Sequence, residues 1–202
     1  MKTSDNIIQG TDSWHQLRKG KVTGTTLKAI MGTKYAREQA YYEIIAERLT
    51  TGLEDDEHPM ARGIRLEPDA VATFEFETGK SVTRTGFCQN DEYENMAYSP
   101  DGLIGETEDV EIKCMGGKNH VKMWLKNEIP DEYWWQVVQA FVVNPKLEKR
   151  YFVGYNPNIP IHPLHIIEIT REQVEDDAKK AEESQKEFLK EVEEKLFSLI
   201  QI

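Results

Sequence analysis

Two acidic residues and a lysine occur in an order that could support metal-assisted hydrolysis. Asp101 follows Ser99-Pro100, and Glu111, Ile112 and Lys113 lie further along the chain. Mg²⁺ prefers hard oxygen ligands, usually one or two carboxylates together with water and substrate phosphate. Asp101, Glu111 and the backbone carbonyl of Ile112 could supply such ligands, and Lys113 could orient or deprotonate the attacking water. This set of residues is therefore suited to the hydrolysis of a phosphodiester.

A β-hairpin is predicted to bring these residues together. The polar residues 105–109 form its turn, and Val110 to Cys114 alternate between apolar and charged side chains. A period of two places Glu111 and Lys113 on one face of the strand, and Asp101 at the mouth of the hairpin can then approach Glu111. The alternative is a surface hairpin with one solvated face, because Asp, Glu and Lys are common residues. The spacing alone leaves both interpretations open.

Four segments resemble, in the same order, the phage lambda-type exonuclease family, which comprises YqaJ-like viral recombinases of the PD-(D/E)xK nuclease superfamily. These segments are residues 14–20 (WHQLRKG), Gly63-x-x-x-Glu67, residues 99–102 (SPDG) followed by Glu111-Ile112-Lys113, and residues 136–139 (QVVQ). The resemblance implies an α/β fold, with a central mixed β-sheet flanked by helices around a PD-(D/E)xK core.

The resemblance also implies roles for residues that spacing alone does not single out. Glu67 matches a further metal-site carboxylate, and Gln136 a residue near the metal and the terminal phosphate. Arg18, Thr25 and Ser99 match residues that receive a 5′-phosphate, and Met60 matches an apolar side chain that separates the strands at a DNA fork. Each position also has an ordinary structural interpretation: helix capping for Arg18 and Thr25, a turn for Ser99, packing for Met60, and a surface polar group for Glu67 or Gln136.

The activity that the resemblance implies is Mg²⁺-dependent digestion of double-stranded DNA from its 5′ ends, with Mn²⁺ as a substitute metal. Mononucleotides are released, and the remaining 3′ single strand is used in recombination by strand annealing. The expected assembly is a homotrimer that works beside a single-strand annealing protein. Two alternatives stay open: an endonuclease or junction-cleaving enzyme of the same fold, and a non-catalytic module that binds DNA ends.

Length and composition are consistent with one nuclease domain over residues 1–202, in which residues 170–202 form a charged C-terminal helix. The net charge of −11 opposes DNA binding overall, but residues 54–57 are all acidic, and a local basic surface is compatible with the remainder. No apolar run is long enough for a transmembrane helix or a signal peptide. A cytoplasmic protein of a phage or prophage in a bacterial host is expected, with Cys88 and Cys114 as free thiols.

The elements that must position these residues follow from apolar periodicity and from Gly and Pro breaks. The segment after residue 60 is predicted as a helix to Thr78 that is interrupted at Pro68 or begins there, and residues 81–89 as a strand. Residues 132–143 are apolar on all sides, which predicts a buried helix. The other predicted elements are helices 36–51 and 118–126, strands 150–155 and 165–169, and a helix capped by Thr170 and Gln173.

Overall fold

A computed structural model describes residue 16 and residues 33–51, 59–85, 87–93 and 95–200, with residues 59 and 191–200 described through their backbone only. Five helices and six strands lie within this part of the chain. They are α1 (Lys34–Leu49), α2 (Pro59–Thr78), β1 (Cys88–Gln89), β2 (Ala97–Tyr98), β3 (Gly102–Ile104), β4 (Glu108–Cys114), α3 (Gly117–Lys126), α4 (Asp131–Val143), β5 (Lys149–Tyr155), β6 (Leu164–Thr170) and α5 (Arg171–Ile200).

The main sheet has the order β3-β4-β5-β6 and contains both strand directions. β3 and β4 are antiparallel. β4 and β5 are parallel. Lys149 N–H at the start of β5 donates to Thr107 O just before β4, and Met115 N–H just after β4 donates to Tyr155 O at the end of β5. β6 returns antiparallel to β5, because Asn156 N–H donates to Pro163 O across the connecting turn. The sheet is therefore mixed, as predicted.

The predicted hairpin is present. Gly102 pairs with Val110 and Ile104 with Glu108, and the turn uses Gly105 at a φ of 63°. Gly105 is needed for its positive φ, whereas Gly102 is needed because a Cβ at this position would lie 2.1 Å from Val82 Cγ1. The segment before β1 crosses the hairpin closely, since Thr83 and Leu103 form an isolated antiparallel bridge.

The middle of β4 is buried on both faces, which differs from the alternative of a hairpin with one solvated face. Asp109, Val110, Glu111 and Ile112 are all buried. The apolar side chains are buried as the alternation predicts, but the acidic ones are buried as well because side chains such as Gln136 of α4 and Arg150 of β5 cover that face. An acidic side chain in this position has to be paired.

Three predictions about the elements are corrected. α2 continues through Pro68, since burial of Leu66 and Ala70 on either side offsets the lost hydrogen bond of the proline. Among the described residues of 81–89, only Cys88–Gln89 forms a strand, paired with Ala97–Tyr98, because β3 is too short to extend the bridge at Thr83. In α4 the C-terminal half is buried, whereas Trp135 and Gln136 are exposed.

The remaining predicted elements are confirmed to within two residues at each end. Gly79 ends α2 at a φ of 68°. The side chain of Gln173 accepts a hydrogen bond from Thr170 N–H at 2.8 Å at the start of α5, which is one half of the predicted capping box. No helix in the described part of the chain is long and apolar enough to cross a membrane.

The chain divides into two compact units, each assembled from separate stretches. The first comprises Met1–Ala70, Lys113–Glu128 and Gly154–His165, and the second comprises Val71–Ile112, Ile129–Val153 and Ile166–Ile202. In the first, Tyr42 and Ala46 of α1 pack with Val121 and Ile159. In the second, the ring of Phe74 packs edge-on against Tyr151, and α4 packs on α5.

Three histidines of the first unit form a chain of polar contacts. His120 is fully buried and its Nε2 lies 2.8 Å from the carbonyl of His162. The His162 ring contacts His165 at 3.0 Å and stacks on Trp124. Burial lowers the pKa of His120 to about 4. Each of the three rings therefore has a partner within this unit.

We expect Gly102→Ala to destabilise the protein by about 1–3 kcal/mol, because the added methyl overlaps Val82 Cγ1. The measurement is urea unfolding of the single variant and of Gly102→Ala combined with Val82→Ala. The second substitution removes the overlapping methyl, so the combined variant should recover part of the loss. If the two costs simply add, the overlap is not the cause.

Acid should weaken the fold through His120. The unfolded chain takes up this proton near pH 6.5, whereas the folded protein takes it up only near pH 4, so the contribution is present above pH 6.5 and is lost as the pH falls towards 4. The loss approaches about 3 kcal/mol. Unfolding at pH 7 and pH 5 should show a smaller pH dependence for His120→Gln, which keeps a donor for the His162 carbonyl. An equal pH dependence would contradict this assignment.

Candidate active site

The Asp101 carboxylate is fixed on the neighbouring strand. Asp101 N–H donates to Val110 O at 3.2 Å, and Asp101 Oδ2 accepts a hydrogen bond from Ile112 N–H at 2.6 Å. The hairpin register therefore brings this side chain to the residue that directly follows Glu111. The sequence predicts an approach of Asp101 to Glu111, and the contact in the structure is with the amide of the adjacent residue, Ile112.

The carboxylate of Glu111 is held by donors from two other elements. The residue is only 2% exposed. Gln136 Nε2, on α4, donates to Glu111 Oε1 at 2.7 Å. Arg150 Nη2, on β5, donates to Glu111 Oε2 at 2.5 Å. Both oxygens thus accept a hydrogen bond, one of them from a cation.

A second buried carboxylate shares the same arginine. Arg150 Nη1 lies 2.8 Å from Asp109 Oδ2, and both side chains are at most 1% exposed. Burial raises the pKa of Asp109 to about 6, although the Arg150 charge acts in the opposite direction. Burial, followed by the charge of Asp109, also raises the pKa of Tyr98, whose ring lies 5.6 Å from the guanidinium.

These groups lie at an open cleft of about 420 Å³ in the second unit. Its lining combines the Glu111 and Arg150 pair with polar and aromatic side chains from β2, the segment after it, and α4. The lining residues are Ala97, Tyr98, Ser99, Glu111, Trp135, Gln136, Gln139 and Arg150. The volume is within the range of small-ligand sites.

The structure brings Asp101, Ile112, Glu111, Gln136 and Ser99 of the predicted site together in this unit. Asp101 reaches the Ile112 amide, Gln136 reaches Glu111, and the exposed Ser99 lines the cleft. The roles of these residues in binding or catalysis stay predictions.

Of the other predicted residues, three lie on β4 and α2, and two lie outside the described residues. Lys113 is half-buried two residues after Glu111 on β4, and Glu67 is half-buried on α2. Met60 is 71% exposed and so does not pack in the core. Arg18 and Thr25 lie outside the residues that the structure describes.

Sequence reasoning missed Arg150 and Asp109. The predicted polar turn includes Asp109 and the predicted strand 150–155 begins at Arg150, but the sequence pattern gives neither residue a role in the site. Their signals are nevertheless in the sequence. Asp109 lies two residues before Glu111 and therefore on the same face of the strand. Arg150 begins a strand that is otherwise apolar, and an arginine in such a strand needs a buried partner.

The donor set is compatible with Mg²⁺. Within the described residues, no group of three or more His, Cys, Asp or Glu side chains is arranged to hold a metal ion. Mg²⁺ needs only one or two carboxylates, since water and substrate phosphate complete its octahedron. Asp101 and Glu111 offer two, and the Glu111 carboxylate lines the cleft.

A mixed sheet flanked by helices, with an acidic hairpin facing a cleft, is the fold of PD-(D/E)xK nucleases. The model of the YqaJ-like viral recombinase domain matches residues 13–145, which is more than half of the chain. The chain therefore belongs to the YqaJ-like viral recombinase family. No curated protein matches it in sequence.

Similar solved structures are exonucleases. The alkaline exonuclease LHK-Exo from Laribacter hongkongensis is 29% identical and has a TM-score of 0.54, with 92% of this chain and all of that chain covered. LHK-Exo in complex with dAMP gives the same identity and coverage and a TM-score of 0.52. A phage-related exonuclease from Haemophilus somnus 129PT is 13% identical over 90% of this chain and 94% of that chain, with a TM-score of 0.41. The family and the two LHK-Exo structures together identify the chain as a nuclease of the recombination type.

We expect a measurable coupling between Gln136 and Glu111, because their bond involves a buried charge. Gln136→Leu, Glu111→Gln and the combined variant form a double-mutant cycle that is measured by urea unfolding in metal-free buffer. The predicted coupling is about 1–2 kcal/mol. Additive costs would mean that this contact does not hold the carboxylate.

Proposed function

We propose that the protein is a Mg²⁺-dependent exonuclease that digests double-stranded DNA from 5′ to 3′. It releases mononucleotides and leaves a 3′ single strand for recombination by strand annealing. The observation that carries this proposal is the pair of carboxylates on the hairpin: Glu111 lines the cleft, and Asp101 is bonded to the amide of the next residue, Ile112.

Each residue of the predicted site has a task in this reaction. Asp101 and Glu111, with the Ile112 carbonyl and Glu67, would hold the metal. When bound, Mg²⁺ supplies Lewis-acid activation of the phosphodiester and stabilises the charge that develops during its cleavage. Lys113 positions or deprotonates the attacking water, and Gln136 orients Glu111 and the terminal phosphate.

The cleft is the proposed place for the terminal nucleotide. Its volume suits a ligand of that size, and the similar LHK-Exo has been solved with dAMP. Ser99, Arg18 and Thr25 are proposed to receive the 5′-phosphate, since hydroxyl and guanidinium groups are ordinary phosphate ligands. Met60, whose exposed side chain reaches solvent, is the proposed wedge at the fork.

A homotrimer and a single-strand annealing partner complete the proposal. Subunits arranged around the duplex would keep it from dissociating between successive cleavages. Light scattering of the purified protein should give three times the 23.4 kDa of one chain. A monomer mass would contradict the trimer without affecting the chemistry.

The direction of digestion is tested with three substrates in the presence of Mg²⁺: a linear duplex with cleavage-resistant linkages at both 5′ ends, one with these linkages at both 3′ ends, and a covalently closed circle. We expect mononucleotides from the duplex with protected 3′ ends only, and faster release when its 5′ ends carry phosphate. Cutting of the circle would favour an endonuclease. Binding without any cleavage would favour a non-catalytic end-binding module.

Lys113→Ala should retain affinity for duplex ends and lose cleavage by at least about 100-fold, since it removes the group that handles the attacking water. The matched control is Lys146→Ala, which removes an exposed lysine outside the cleft and should leave the rate unchanged. A Lys113→Ala variant that cleaves at the wild-type rate would contradict the mechanism.

A further inference from the structure

Arg150 is a fully buried cation that binds two acidic residues of one strand. Its two terminal nitrogens reach Asp109 Oδ2 and Glu111 Oε2. The two carboxylates are two residues apart on β4 and share a face, whereas Arg150 comes from β5, the next strand of the sheet. The planar guanidinium fork matches this spacing, and a lysine ammonium could not bind both in the same way.

A contribution to stability does not by itself explain the cluster formed by Arg150, Asp109 and Glu111. Removing three charges from water is expensive, and apolar residues of similar size often replace buried ion pairs without loss. This cluster also leaves one buried donor, Arg150 Nε, without a hydrogen-bond partner among the described residues. A purely structural network would be expected to satisfy it.

The cluster instead restricts one functional side chain. Glu111 Oε1 is bonded to Gln136 and Oε2 to Arg150, so the carboxylate cannot rotate without losing one of two bonds from different elements. Arg150 itself lines the cleft beside Glu111. The hydrogen bond from Arg150 Nη1 to Asp109 Oδ2 holds the guanidinium in place, so the guanidinium cannot move together with the Glu111 carboxylate without losing this bond.

We propose that Arg150 is a positioning residue for the nuclease reaction, which fixes the Glu111 carboxylate in the orientation used for metal binding, with Asp109 as the counter-charge that holds Arg150 in place. This inference rests on the proposed function. Groups that orient a metal ligand in this way typically contribute 10–100-fold to metal affinity.

If Arg150 instead competed with the metal, its removal would have the opposite effect on metal affinity. An arginine that merely occupies the place of the metal competes with it, and its removal would strengthen metal binding. An arginine that orients Glu111 strengthens metal binding, and its removal would weaken it. The direction of the change therefore decides between the two roles.

The test combines Asp109→Asn with Arg150→Met. One negative and one positive charge are removed together, so the cluster keeps its net charge of one negative, and any change in metal affinity has another cause. The matched control combines Lys149→Met with Glu168→Gln, which removes an exposed ion pair of β5 and β6 outside the cleft. Mn²⁺ binding is measured without DNA by electron paramagnetic resonance, with thermal unfolding in the presence and absence of Mn²⁺.

We expect the Asp109→Asn/Arg150→Met variant to bind Mn²⁺ about 10–100-fold more weakly and to show a smaller increase in Tm with Mn²⁺ than the wild type. Its kcat should fall while its KM for duplex ends is retained. The control should match the wild type in all of these. Mn²⁺ affinity that is unchanged or stronger in the test variant would overturn the proposal.

Arg150→Lys provides a second variant in case the first fails to fold. It keeps the charge but can bind only one carboxylate well, so we expect an intermediate loss of Mn²⁺ affinity, and wild-type affinity would overturn the proposal. Failure of the proposed function is distinguishable: the wild type itself would then bind no Mn²⁺ and show no metal-dependent cleavage.

Discussion

The burial of the Glu111 carboxylate is the constraint on which the rest of the candidate site depends. A charge on a strand whose two faces are both covered is removed from water, and fixed donors must replace the solvent to offset that cost. Gln136 of α4 and Arg150 of β5 provide those donors. The same arrangement that makes this charge tolerable also fixes its orientation beside the cleft.

The parts of this site that sequence could predict are those set by local spacing. The hairpin follows from its polar turn and alternating strand, and it places Asp101 at Ile112 through register alone. The pairing of Arg150 with Asp109 and Glu111 depends on the parallel neighbour of β4, which is separated from it by two helices. A local pattern does not contain that register, so it predicts a strand at Arg150 and a turn at Asp109 but no role for either residue in the site.

The incorrect predictions of a helix break and of a strand have the same cause, because both depend on tertiary contacts that a local pattern does not contain. Propensity predicts a break at Pro68, but the helix continues because its neighbours Leu66 and Ala70 are buried. Alternation predicts a strand over residues 81–89, but a strand also needs a partner edge, and β3 offers only three residues. Tertiary contacts decided both cases. They also buried the acidic face of β4, which alternation alone leaves compatible with solvent.

The central claim is that Asp101 and Glu111 hold the metal on which cleavage depends. Its most direct test is Mn²⁺ binding by Asp101→Asn, in parallel with cleavage of a linear duplex. Asparagine keeps an oxygen that can accept from Ile112 N–H and removes only the charge. The account predicts that this variant loses Mn²⁺ affinity and cleavage together while it retains its fold and its affinity for DNA. Wild-type Mn²⁺ affinity and rate in Asp101→Asn would contradict it.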